Sequence, residues 1–196
     1  MKRTAVFLAV LTAFLLNGCT EKDSNDISIT PYPLSEEEQT LISKTGVDAI
    51  QFFKLNGELS ENEDLQFAME TYKDGVLAED QIYTKGQVEK EFNEDLISFG
   101  FDRQDNDLII LNGMVNGLLE NQHDIEGMDS SSFSSFISEK TKLVKDEAVY
   151  LVSWIGSKGN ALEGLSINED GSLSESVKMA DTAYVFKIIL TDYKKE

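Results

Sequence analysis

The feature that most constrains this chain is a period of two in its apolar residues, repeated in short runs separated by tight turns. DLQFAMETYKDG sets Leu65, Phe67 and Met69 against Gln66, Ala68 and Glu70. DLISFGFDRQ aligns Ile97, Phe99 and Phe101, and TAYVFKIILTDY aligns Tyr184, Phe186, Ile188 and Leu190. Successive side chains of a strand point to opposite faces, so each run has one face for a core and one for another environment. Lys73-Asp74-Gly75, RQDND and NEDGS are turn sequences, because Gly and Asx residues tolerate the backbone angles a hairpin needs. EAVYLVSWIG is a further strand, with Ala148, Tyr150, Val152 and Trp154 on one face and Val149, Leu151 and Ile155 on the other. Seven to nine strands without regular intervening helices predict a mainly β fold: an antiparallel β-sandwich or curled sheet.

Two short helices are expected beside the strands. Ser35 with Glu38 has capping-box spacing, acids fill the following turn, and Gly46 ends the segment, which predicts a helix over Glu36–Lys44. Phe133, Phe136 and Ile137 stand at i, i+3, i+4, which predicts a second helix within 130–142. Residues 113–128 read as strand passing into exposed loop.

The N-terminus sets an address. Lys2 and Arg3 precede an apolar run, Ala5 to Leu16, too short to span a bilayer but fitting the h-region of a signal peptide. Leu16, Gly18 and the only cysteine, Cys19, follow. This arrangement resembles the lipobox of bacterial lipoproteins, with Asn17 standing where a small residue is usual. The resemblance implies that Cys19 becomes the mature N-terminus and carries a diacylglyceryl thioether. Two acyl chains at one residue suffice for stable anchoring. The expected organisation is a signal peptide over 1–18, a flexible tether over 19–33 ending in the only prolines, Pro31 and Pro33, and a single β-rich extracytoplasmic domain over 34–196. SEEEQTLISKTG, AIQFFKLNG and METYKDG are similar to secreted domains of Gram-positive bacteria that have no assigned activity.

Charge narrows the partners. Without Lys2 and Arg3 the chain keeps 15 basic and 36 acidic side chains, a formal charge of −21. Such a surface is repelled by phosphates and anionic headgroups, so nucleic acid is not an expected partner and the lipid alone holds the protein at the membrane.

Catalytic motifs are few. His123 is the only histidine and lies in NQHDIEG, which reads as a solvent-facing loop. Lys44-Thr45-Gly46 spells K-T-G, but no S-x-x-K supplies a nucleophile, and a helix stop explains the three residues. The chain has no G-x-S-x-G, P-loop or G-x-G-x-x-G. Tyr72 and Tyr83, near turn ends, are the candidates for a ligand-facing surface. Asp102, Asp105 and Asp107 in DRQDND, like Asn168 and Asp170 in NEDGS, offer oxygen ligands suited to calcium, without EF-hand spacing. No cofactor is otherwise implied. The preferred reading is a non-enzymatic, membrane-anchored surface lipoprotein that binds an envelope protein, glycan or other ligand. The alternatives are a carboxylate-dependent hydrolase of envelope glycans and an assembly subunit that pairs through a sheet edge.

Overall fold

The computed structural model describes residues 26–84, 86, 89–115, 117–159, 162 and 164–193. The expected signal peptide over 1–18 and Cys19 lie outside the described residues. The strands, in chain order, are β1 (Ser28–Tyr32), β2 (Ala49–Glu58), β3 (Glu63–Lys73), β4 (Val76–Thr84), β5 (Glu91–Gln104), β6 (Asp107–Met114), β7 (Gly117–Asp124), β8 (Ser130–Ser135), β9 (Thr141–Lys142), β10 (Ala148–Ser157) and β11 (Thr182–Asp192). They form two antiparallel sheets, ordered β7-β6-β5-β2-β1-β9 and β4-β3-β11-β10-β8. The mainly β, two-sheet expectation therefore holds, and the sheets do not close into a barrel.

The period-two faces make the core. Leu65, Phe67, Met69, Ile97, Phe99, Phe101, Tyr184, Phe186, Ile188 and Leu190 all meet in one buried cluster between the sheets. Phe99 and Phe186 bridge it at 4.8 Å between ring centroids. A smaller cluster, including Ile155, Val177, Ala183 and Val185, covers the outer face of the five-stranded sheet. The segment leading into the 3₁₀ turn Glu175–Met179 folds over that face. At Asp74 and Gly75 both φ angles are positive (49° and 74°), the hairpin geometry that joins β3 to β4.

Four expectations need correction. Residues 28–32 are strand, not tether, and Ile27 and Ile29 are fully buried. β9 pairs only with Ser28 and Ile29, so at Pro31 the strand has one neighbour, where a residue without an N–H is tolerated. Residues 130–135 are the edge strand β8, paired with β10 through Phe133↔Trp154, not a helix. The helical content of the described residues is α1 (Glu36–Ile42), with its Ser35–Glu38 capping box, and the 3₁₀ turn. A bulge between Tyr150 and Val152 breaks the alternation of β10, so Leu151, Val152 and Trp154 face the main core while Tyr150 joins the outer cluster. Finally, His123 belongs to β7 and is half-buried, not in a solvent-facing loop.

The sandwich has two distinguishable ends. The chain enters at Ile27 beside Asn56, at the end of β2, and the Glu58-to-Glu63 turn brings the start of β3 to the same end. The last strand finishes there too, with Tyr193 N–H donating to the Asn62 carbonyl. The opposite end carries the β3–β4 and β5–β6 turns, the start of β8 and the end of β10.

Candidate functional site

A cavity of about 110 Å³ opens at that opposite end, between the start of β2, the β5–β6 hairpin, and strands β8 and β10. Phe101, Leu108, Phe133 and Trp154 make its apolar part; Asp48, Arg103, Ser131 and Ser132 make its polar part. A concave surface with an apolar floor and a few placed polar groups is the usual form of a ligand site. Local sequence explains the floor. Trp154 and Gly156 lie two apart on β10, on one face. A Cβ at Gly156 would stand 2.5 Å from the Trp154 Cη2, so glycine is what lets the indole lie along the strand. Phe133, opposite Trp154 across the sheet, meets Phe101 edge-on at 5.4 Å.

The polar wall is held from the backbone. Asp48 Oδ2 accepts the Arg103 backbone N–H at 2.8 Å, and the Arg103 guanidinium reaches away to donate Nη2–H to the Met128 carbonyl at 2.7 Å. Asp48 and Arg103 thus line one cavity as opposite charges that do not pair with each other. Sequence reading missed both. Asp48 sits in no motif and Arg103 counts only as part of the turn RQDND, and only the hairpin that brings Arg103 over Asp48 makes them neighbours of the floor.

Next to the cavity, Trp154 continues into an aromatic cluster. Its ring lies 5.9 Å from Tyr184, which meets His123 at 4.6 Å. Lys73 Nζ stands 5.6 Å from the Tyr184 ring and donates to Thr182 Oγ1. Burial, then the Lys73 charge, pushes the His123 imidazole below its ordinary range, so it is neutral at pH 7. Burial, and then Asp124, pushes the Tyr184 phenol up to about 12.

A second polar cluster sits on the outer face of the five-stranded sheet. Lys187, 5% exposed, donates to Glu70 Oε1 at 2.5 Å and to Asp80 Oδ2 at 2.8 Å. Tyr72 donates to Glu70 Oε2 at 2.6 Å and Tyr150 to Glu70 Oε1 at 3.2 Å. Burial raises the pKa of both phenols, and Glu70 raises it further. The acids of this cluster share one ammonium, and Glu70 is also saturated by hydroxyls. These bonds tie strands β3, β4, β10 and β11 together across the outer face of the sheet. Lys187 is visible in the sequence as the one charge inside the apolar run YVFKIIL, and that interruption was the available signal.

The expected site residues disperse. Tyr72 is on the outer face in the Glu70 cluster, while Tyr83 packs against the main core with its ring stacked 6.1 Å from Phe186. The two tyrosines do not share a surface. Burial, and then Glu79, pushes the Tyr83 phenol up to about 12. Asp102 accepts a hydrogen bond from Gln104, Asp105 forms the turn with φ 54°, and Asp107 begins β6. Among the described residues no three His, Cys, Asp or Glu side chains are placed to hold a metal ion. Among the described residues, too, no helix is long and apolar enough to cross a membrane.

Comparison with known proteins agrees with the boundaries of the sandwich. No curated protein and no solved structure matches the chain. The family model of the YgaN domain matches residues 28–190, from the first residue of β1 to the end of the β11 core, which is most of the 196-residue chain. The chain belongs to the YgaN domain family.

Proposed function

We propose that this protein is a lipid-anchored surface module of the cell envelope, and that its sandwich binds a ligand in the cavity at the end away from the anchor. The observation that carries this reading is the opposition of chain entry and cavity. Ser28 pairs with Asn56, whereas Ala49, at the other end of β2, lines the cavity. Seven residues of strand separate the two, about 24 Å at roughly 3.4 Å per residue. The leash is short. Thr20 to Asp26 is seven residues, which even fully extended span no more than about 25 Å. A diacylglyceryl group on Cys19 therefore holds the entry end toward the bilayer and presents the cavity outward. The negative charge of the body works in the same direction, because anionic headgroups repel it.

The test is capture on isolated envelopes. The native protein is expected to retain an envelope component that Ser131→Phe, which adds a ring on the Phe133 and Trp154 face of the cavity, fails to retain, with the fold unchanged by circular dichroism. Equal retention by both proteins would refute the reading. Hydrolysis of envelope glycans by the purified protein would replace binding with catalysis.

Sheet-edge pairing has one observation in its favour. β4 ends its sheet with Val76, Leu77 and Ile82 exposed at 68, 48 and 48%. Glu79 and Asp80 interrupt that edge with charge, as natural edge strands do to discourage pairing. If the edge is the docking surface, Ala78→Pro abolishes envelope capture and Ser131→Phe does not.

A further inference from the structure

We infer that the cavity takes a small zwitterion with a short apolar side group, the chemistry of a free aliphatic α-amino acid. This rests on the reading of the cavity as a ligand site and names what enters it.

Size comes first. At about 110 Å³ the cavity is smaller than the roughly 150 Å³ space that holds benzene, so it excludes nucleotides and fused-ring ligands and admits a molecule of only a few heavy atoms. Charge comes second. Asp48 accepts the Arg103 backbone N–H while the guanidinium donates to the Met128 carbonyl, so the two charges are held by different partners and stand apart. Arg103 spends one of five N–H groups on Met128 and keeps the rest for an acceptor. A ligand ammonium on Asp48 and a ligand carboxylate on Arg103, each through a charge-assisted hydrogen bond of about 2.8 Å, bridge that separation. Ser131, on the Phe133 face of β8, adds a hydroxyl to the lining.

The whole-molecule field selects among charged ligands. A body of formal charge −21 repels a net anion, and Arg103 repels a simple cation inside the cavity. A molecule carrying one charge of each sign and a net charge of zero meets neither penalty. Its side group faces Phe101, Leu108, Phe133 and Trp154, which favour a methyl or branched aliphatic group over a polar one. A short side group also matches the volume.

Equilibrium dialysis of the native, detergent-solubilised chain against radiolabelled L-alanine tests the inference. Saturable binding of one molecule per chain is expected. L-Alaninamide, which lacks the carboxylate, and N-acetyl-L-alanine, which lacks the ammonium, are each expected to bind at least tenfold more weakly. Arg103→Gln and Asp48→Asn are each expected to weaken L-alanine binding tenfold or more. They also differ in kind: Arg103→Gln stops discriminating against the amide, and Asp48→Asn stops discriminating against the N-acetyl compound. Global misfolding does not produce that crossed pattern. Binding of all three compounds with equal affinity overturns the inference, as does the absence of saturable binding at 10-millimolar-range ligand (about one hundredth of the molar standard state). If the amino acid fails while Ser131→Phe still abolishes envelope capture, the zwitterion falls and the binding reading stands. If both fail, both fall.

Discussion

Removing the ammonium of Lys187 tests the energetics of the sandwich at its most exposed assumption. Lys187→Met leaves a side chain of similar length between Glu70 and Asp80 but takes away the cation that both acids share. Asp80 keeps access to water, since its side chain is 46% exposed. Glu70, at 6%, does not. Breaking a buried pair by deleting one partner costs about 3–5 kcal/mol. Tyr72 and Tyr150 continue to donate to Glu70, which places the expectation at the lower end, about 3 kcal/mol. For a domain of this size that is a fall in Tm of about 6–12 °C.

The pH dependence has a definite sign. In the native protein burial pulls the Lys187 pKa down, but the bonds to Asp80 and Glu70 outweigh it and the net shift is upward from 10.5. The stabilisation by Lys187 is thus full below about pH 10.4, its unfolded value, and is lost as pH rises through the higher folded value. The deficit of Lys187→Met is therefore full at pH 8 and shrinks as pH rises through the folded value of Lys187. Urea unfolding followed by Trp154, the single tryptophan and 4% exposed, measures it. Glu70→Gln combined with Lys187→Met removes the unpaired charge and is expected to recover most of the loss. A deficit under about 1 kcal/mol, the range of an exposed ion pair, or a double variant no more stable than the single one, refutes the reasoning.

Three further outcomes follow from particular contacts. The His123 imidazole has a folded pKa below its unfolded value, so the stability it confers is present above about pH 6.5 and is lost as pH falls through the folded value. Proton NMR should show a midpoint below 6.5, and His123→Gln should flatten the stability loss between pH 6.5 and 5. Ser35→Ala removes the cap of α1, a helix with no buried residue, and should cost about 1 kcal/mol locally; hydrogen exchange over 36–42 should speed up while the global unfolding midpoint barely moves. Gly156→Ala drives a methyl into the Trp154 ring, so it should shift Trp154 emission and weaken capture at the cavity, with a stability loss of about 1–3 kcal/mol in urea.

Much of the fold was legible because alternation and turn chemistry agree in the same places. Asp74-Gly75 and the stripes of β3, β5 and β11 needed no long-range information. The misreadings have physical causes. Phe133, Phe136 and Ile137 fit a helix by spacing, but a serine-rich segment has little preference of its own, and pairing with β10 decides its state. Pro31 looked like linker because one strand beside β1 stops before reaching it. The bulge in β10 adds a residue that simple alternation cannot register. The cavity was not legible. Asp48 and Arg103 are 55 residues apart in sequence and ordinary in type, and only sheet register brings them to one wall.

The central claim is an orientation: lipid at Cys19, the entry end down and the cavity outward. Cys19 is the only cysteine, so a single introduced thiol can be labelled uniquely if lipid caps the native one. The direct measurement is dye quenching by a bilayer-embedded quencher in vesicles carrying the native lipoprotein, with Glu61→Cys at the entry end and Asn106→Cys at the cavity end. The account predicts no label on the parent protein, strong quenching at residue 61 and little at residue 106. A dye-reactive Cys19, or equal quenching at both positions, would contradict it.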